Sequence, residues 1–322
     1  MNKEKFLRRA HVFAPATVAN IGPAFDIMGF ALDHPGDEVI ATWSDTNFGI
    51  TISDITGDSG KLSLLPHENT AGVAANYLWS LLRQRDLLPD YGISLSLKKA
   101  MPLGSGLGSS AASAVAGACA VNHLLGCPFT RKELLLATVE GERIACGSGH
   151  ADNVAPSLYG GIVLIRERDG EPEVYNLPIP SDLKVVVITP HIEIRTRDAR
   201  AVLPKTVPLA TVVKQLELVS SLVLALHNND KKLLQCSLRD ELLEPVRAPL
   251  IPFFYSARKE AINRGALNCT ISGSGPSLFS FVPHNICPEE IARAISDVYN
   301  KSDIEVTTVI SSISSSGARL IT

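Results

Sequence analysis

The 322-residue chain has no CxxC pair and no histidine at zinc-ligand spacing, which removes a structural zinc site from consideration. Its six cysteines, Cys119, Cys127, Cys146, Cys236, Cys269 and Cys287, are dispersed and read as reduced core or surface thiols. Excess basic charge is also missing. With 30 Lys and Arg against 33 Asp and Glu, the formal net charge is -3, and a surface without clustered cations is poorly suited to neutralising a nucleic-acid backbone. The basic start MNKEKFLRRAHVFAPA leads into no signal-peptide core. No stretch is expected to approach the roughly 18 apolar residues that span a bilayer. The expectation is a cytoplasmic protein with neither nucleic-acid nor membrane partners. Internal repeats and low-complexity runs are absent too, and the hydrophobic fraction of 45% argues for a folded, globular chain. The length suits about two domains, each with its own core.

What is present falls into two differently ordered halves. HVFAPATVAN, GDEVIATW and GITISDI read as strands, with β-branched residues between Gly, Pro and Asp. From Asn69 the period changes, and Val73, Tyr77, Leu78, Leu81 and Leu82 form one helical stripe. GISLSLKKA alternates as a half-buried strand. SSAASAVAGACAVNHLL is a helix of small residues stopped by Gly126, and Thr130 with Glu133 has capping-box spacing ahead of a further helix ending near Gly147. GGIVLIRE reads as the last strand of this half. The turn-rich stretch ERDGEPEVYNLPIPS is the expected boundary, dividing residues 1–170 from 171–322. Beyond it, DLKVVVITP, a series of helices, two strands joined at GSGP, the helix PEEIARAISDVYN and the strand IEVTTVIS give the order β-α-β-β-α-β. That is the split arrangement of a ferredoxin-like layer, so the fold class is α+β.

The strongest chemical signal is PLGSGLGSSAA: Pro102, Leu103, Gly104, Ser105, Gly106, Leu107, Gly108, Ser109, Ser110, Ala111 and Ala112, between a predicted strand and a predicted helix. Alternate glycines let backbone approach an anion closely. Ser109 and Ser110 open the helix, whose unpaired N–H groups face the same loop. The plain alternative is a Gly-rich connector whose serines cap a helix. No lysine stands where a P-loop needs one, and Ser109 occupies the place of the third glycine of a dinucleotide fingerprint.

At these residues the chain resembles the GHMP kinases. APATVANIGPAFDIMGFAL, the central GLGSSAA, GSGHADNVAPSLYGG, TRDARAVLP, EPVRAPLIP and ISGSGPSLF follow in the order found in the branch of that family that acts on homoserine. The resemblance implies an N-terminal domain like domain 2 of ribosomal protein S5, carrying the ATP site, and a ferredoxin-like C-terminal domain. It implies ATP and Mg²⁺ as cofactors, L-homoserine as acceptor and a place in threonine biosynthesis, with a homodimer as a reasonable assembly. Ser110 and Glu142 resemble the pair that holds Mg²⁺, a hydroxyl and a carboxylate of the hard type that ion prefers. Asn69 resembles an adenine contact, although as a bare sequence feature it is a helix cap. Asn20, Asp26 and His150 resemble the contacts to the amine and hydroxyl, and Arg200 and Arg247 can supply forks for the carboxylate. Asp26, Asn20 and Asn153 are the catalytic candidates. Taken singly, each arginine would be a surface charge and His150 a structural histidine.

One departure bears on mechanism. Mevalonate-type members carry an N-terminal lysine and an aspartate assigned to activating the hydroxyl, whereas this chain has APAT, and its GHADN segment offers Asp152 and Asn153. A strong base is therefore expected to be absent, with positioning and electrostatics carrying the transfer. The late ISGSGPS is expected to fold near the phosphate loop, a hairpin turn being the alternative. Other readings are a kinase acting on another small alcohol such as mevalonate, a non-catalytic sensor on the same fold, and a nicotinamide-dependent oxidoreductase, which the glycine spacing disfavours.

Overall fold

The computed structural model describes residues 7–147, 149–192, 194 and 196–321. The first ten elements are β1 (Arg9–Ala19), β2 (Met28–Ser44), β3 (Ile50–Thr56), α1 (Thr70–Gln84), β4 (Gly92–Lys98), α2 (Ser109–Leu124), α3 (Arg131–Cys146), α4 (Ala151–Tyr159), β5 (Ile162–Arg168) and β6 (Glu171–Leu177). The long β2 organises this half, pairing antiparallel with β1, β4 and β5. The edge strand β3 joins β4 in parallel.

The small residues of α2 explain where that helix sits. Nearly every side chain from Ser109 to Leu124 is buried, and at Gly117 a methyl group would come within 2.9 Å of the Ala71 Cβ on α1. Larger side chains would push the neighbouring helices away and cost packing. The α3 helix starts as its letters predict, with Thr130 and Glu133 in a reciprocal capping box.

The second half continues with β7 (Leu183–Pro190), α5 (Thr196–Ala201), α6 (Leu209–Asn228), α7 (Lys231–Ser237), α8 (Glu244–Arg247), α9 (Phe254–Asn263), β8 (Thr270–Ile271), β9 (Leu278–Pro283), α10 (Pro288–Asn300), β10 (Val306–Ser311) and β11 (Arg319–Leu320). Its sheet runs β10-β7-β9-β8, antiparallel throughout. That is the strand order of the expected ferredoxin-like layer. The two halves share one apolar core at Phe30 on β2 and Phe279 and Phe281 on β9, whose ring centroids lie 5.4 to 5.6 Å apart. Each such aromatic pair adds about 0.5–1.5 kcal/mol beyond the area it buries.

Three expectations meet a different outcome. The division at residue 170 falls at the turn of the β5–β6 hairpin, and β6 stays with the first sheet; the chain reaches the second sheet only at Leu183. The C-terminus crosses back, β11 pairing with β1 at Val12 and Phe13. The expectation that no segment is apolar enough to span a bilayer is corrected by α6, whose 20 residues are long and apolar enough by length and composition alone. Lys214 and Glu217 interrupt its apolar run in the sequence. Of the cysteines, Cys119 and Cys269 are buried free thiols, and Cys127, Cys236 and Cys287 are exposed ones; the side chain of Cys146 lies outside the described ones.

Candidate active site

The loop between β4 and α2 presents its two kinds of backbone group in opposite ways. Its carbonyls from Ser105 to Ser110 are taken. Ser105 O accepts from both the Ser277 amide and the Ser277 hydroxyl, Gly106 O from Ser272 Oγ at 2.7 Å, and Leu107 O from the Thr17 amide at 3.0 Å. Ser109 O accepts from Lys99 Nζ at 2.9 Å and Ser110 O from Thr70 Oγ1 at 3.1 Å. Its donors are available: among the described residues, the N–H groups of residues 104–111 reach no protein acceptor. Gly104, Gly106 and Gly108 hold φ of +69°, +79° and +64°, a region open to glycine at little cost. At Gly106 a methyl would also strike Ser272 O at 2.7 Å. The late ISGSGPS turn therefore does fold against this loop.

The donors face a cavity of about 360 Å³. Ser110 Oγ donates to Glu142 Oε1 at 2.9 Å across its wall, so the loop-opening helix and α3 bring a hydroxyl and a carboxylate together. Asn69 also lines the cavity, but its amide is used locally. The oxygen caps α1 through Ala71 N at 3.0 Å, and the nitrogen donates to Ser63 O at 3.2 Å.

Behind the loop lies a pair that the sequence reading did not single out. Lys99 and Asp37 form a salt bridge with side chains 2% and 1% exposed. Lys99 also donates to Ser113 Oγ at 2.6 Å, while Asp37 accepts from Ala100 N and Ser113 Oγ at 3.0 and 2.9 Å. Burial pulls the ammonium's pKa down and Asp37 opposes that pull. Every proton of the ammonium has an acceptor, the condition under which a buried charge is tolerated.

The same cavity is lined by Asn20, Asp26, His150, Asp152, Asn153, Arg200 and Arg247. Arg200 grips Asp26 with both terminal nitrogens, at 2.9 and 3.3 Å, and His150 Nδ1 lies 3.3 Å from the same carboxylate. Burial lowers the His150 pKa, Asp26 opposing and Arg200 assisting. Arg247 is buried and donates to Gly273 O at 3.1 Å, an oxygen that also accepts from Asn20 Nδ2 at 2.9 Å. Its acidity is raised first by burial and then by Arg200. Phe25 separates the two cations, its ring centroid 5.5 Å from the Arg200 guanidinium carbon and 5.0 Å from that of Arg247. Burial, then the charges of Asp26 and Glu142, pushes the Asp152 carboxyl up to about 7. All the predicted site residues except Pro102, Leu107, Ala111 and Ala112, which lie in the same loop and helix, line this one cavity.

Comparison with known proteins places this geometry. The GHMP kinases N terminal domain matches residues 71–161, and GHMP kinases C terminal matches residues 213–301. The homoserine kinase of Chlorobium phaeovibrioides is 43% identical over 315 residues, 96% of this chain and 98% of that protein. The chain belongs to the homoserine kinases, a branch of the GHMP kinases. The homoserine kinase of Pyrococcus furiosus is 41% identical over 91% of this chain and 94% of its own length. A crystal structure of homoserine kinase from Cytophaga hutchinsonii superposes with a TM-score of 0.92 at 44% identity, covering 98% of each chain. As a member of the homoserine kinases, the chain is a phosphotransferase that uses ATP.

Membership leaves several site residues to the structure. Phe25 sits one position before Asp26 inside GPAFD, and Lys99 lies three before Pro102. Both were in view as letters. What sequence could not supply was the partner in each case, Arg200 and Arg247 for Phe25 and Asp37 for Lys99.

Proposed function

We propose that this chain transfers the γ-phosphoryl group of ATP to the side-chain hydroxyl of L-homoserine, giving O-phospho-L-homoserine for threonine synthesis. The observation that carries this is that one cavity is lined by two different sets of groups. One set offers free backbone donors with the carbonyls of residues 105–110 engaged, which suits a polyphosphate. The other holds an Arg200–Asp26 pair beside Arg247, which suits a zwitterion. An amino acid can insert into that pair, its ammonium on Asp26 and its carboxylate on the guanidiniums, exchanging one set of charge-assisted bonds for two. A neutral sugar gains nothing from this exchange, and mevalonate would leave Asp26 without a cation.

In this reading the amides of residues 104–111 hold the phosphates, and Asn20 and His150 orient the acceptor. Asn69, with its own amide used as a cap, shapes the adenine pocket together with Leu62 and Leu103. Ser110 and Glu142 fit Mg²⁺, since both are hard oxygen donors already within one hydrogen bond of each other. Bound there, the ion would neutralise charge on the phosphates. With Asp26 committed to charge pairing, transfer rests on alignment and on donors aimed at the developing charge, as a loose transition state allows. The test is ADP release with Mg-ATP and, in turn, homoserine, mevalonate, galactose or no acceptor. Turnover that requires homoserine supports the proposal; equal turnover with mevalonate rejects it.

The helix α6 supports a homodimer. Leu209, Val213, Leu216 and Leu224 are 77%, 57%, 61% and 51% exposed and recur at nearly heptad spacing, as in helices that pair with one another. The opposite face is anchored by Gln215, which donates to Pro23 O at 2.8 Å. Light scattering should return twice the chain mass, and L216E should return one. Flotation with anionic vesicles in place of dimerisation would instead assign the face to a membrane surface, against the cytoplasmic, membrane-free reading that we propose.

A further inference from the structure

We infer that Thr17 is a positioning residue that fixes which end of the Asn153 amide faces the acceptor, so that Asn153 offers only hydrogen-bond donors to the reacting oxygens. This rests on the proposed transfer to homoserine and on Asn153, a catalytic candidate that lines the cavity, standing beside the acceptor hydroxyl.

Thr17 is fully buried on β1 and is held on its backbone side by the hydrogen bond its amide N–H donates to Leu107 O in the phosphate loop. Its hydroxyl donates to Asn153 Oδ1 at 2.8 Å. Asn153 stands in the first turn of α4 and lines the cavity. The close approach of the two side chains depends on Gly108. A methyl there would lie 2.2 Å from Thr17 Oγ1 and 2.8 Å from Asn153 Oδ1, so the loop leaves a slot that the pair fills.

An asparagine amide has an acceptor end and a donor end of nearly the same shape. Nothing in its size prevents a half-turn that exchanges them. A threonine hydroxyl can also accept, but among the described residues the buried Thr17 hydroxyl has no acceptor other than Asn153 Oδ1, so a half-turn would strand its proton. With the oxygen committed to Thr17, the group left for the cavity is NH₂. An NH₂ facing the acceptor oxygen and the transferring phosphoryl group stabilises negative charge there, whereas the carbonyl end would repel it. The same arrangement means that Asn153 cannot receive the proton of the acceptor hydroxyl, in keeping with transfer that depends on positioning.

The experiment is a kinetic double-mutant cycle with homoserine and Mg-ATP on T17V, T17S, N153A and T17V/N153A. T17V should lower kcat about tenfold, the worth of one hydrogen bond, with KM for ATP within about twofold. T17S, which keeps the hydroxyl, should retain most of the parental kcat. In the N153A background the T17V change should cost nothing further, because its target is gone. Parental kcat in T17V, or an equal T17V penalty with and without Asn153, overturns the inference. Parental kcat in N153A instead overturns the role given to Asn153 and the inference with it, so the two failures are distinguishable. Should T17V not fold, T17A removes the hydroxyl without added volume and gives the same readout.

Discussion

Replacing Asp152 by asparagine should stabilise the protein at high pH and do nothing for it at low pH. Asp152 is 5% exposed, and burial is the first cause that raises its carboxyl from 3.8 to about 7. The folded chain therefore keeps this proton up to about pH 7, while the unfolded chain releases it near 4. Folding binds a proton in that window, so stability falls as pH rises through it. The shift spans about three pKa units at about 1.4 kcal/mol each. Full ionisation thus costs the native state at most about 4 kcal/mol. For 322 residues at about 2.1 cal/mol/K per residue, that corresponds to roughly 6 °C in Tm. D152N keeps the shape and removes the charge. Thermal melts of ligand-free parent and D152N from pH 4 to 8.5 should show no gap at the acid end, a gap that opens between pH 4 and 7, and a plateau above. In the proposed reading, in which alignment rather than a strong base carries the reaction, kcat of D152N should stay within about tenfold of the parent. A Tm gap that does not change with pH would refute the electrostatic reasoning. A loss of several orders of magnitude in kcat with KM intact would make Asp152 a required base.

Arg200→Lys replaces a two-pronged donor by a point charge, so KM for homoserine should rise about 10- to 100-fold while KM for ATP moves less than about twofold in initial-rate assays. Glu142→Gln should raise the Mg²⁺ concentration for half-maximal rate by about tenfold or more, read from magnesium titrations at fixed ATP. Lys99→Met strands the buried Asp37 carboxylate, and urea melts should show a loss of about 3–5 kcal/mol, partly recovered by adding Asp37→Asn. Gly108→Ala forces a methyl into the slot beside Thr17 at a positive φ, and both kcat and urea stability should fall, the latter by more than about 1 kcal/mol.

Local features of this fold were legible where a few adjacent letters determine the physics. The glycine spacing from Gly104 to Gly108, Asn69 as a helix cap, the Thr130–Glu133 box and the order of elements after Leu183 all depend on short-range geometry, and each is present. Pairings across long separations were not legible. Asp26 and Arg200 are 174 positions apart, and nothing in either motif states that one fork would be closed by the other carboxylate. Lys99 and Asp37 are 62 apart, and each reads alone as an ordinary surface charge. The strands β6 and β11 escaped for a related reason. Whether a short polar strand joins one sheet or the other is decided by which edge is open, and that is a property of the assembled sheet.

The serines at 272 and 277 reach back to the loop at 105 and 106, and this bears on how the protein is made. A chain emerging from the ribosome exposes the glycine-rich segment long before the residues that turn its carbonyls aside. The loop's carbonyls at 105 and 106 are therefore both turned aside only after residue 277 has been made. A product terminated before those serines would carry the signature motif without the bonds that hold its carbonyls in place.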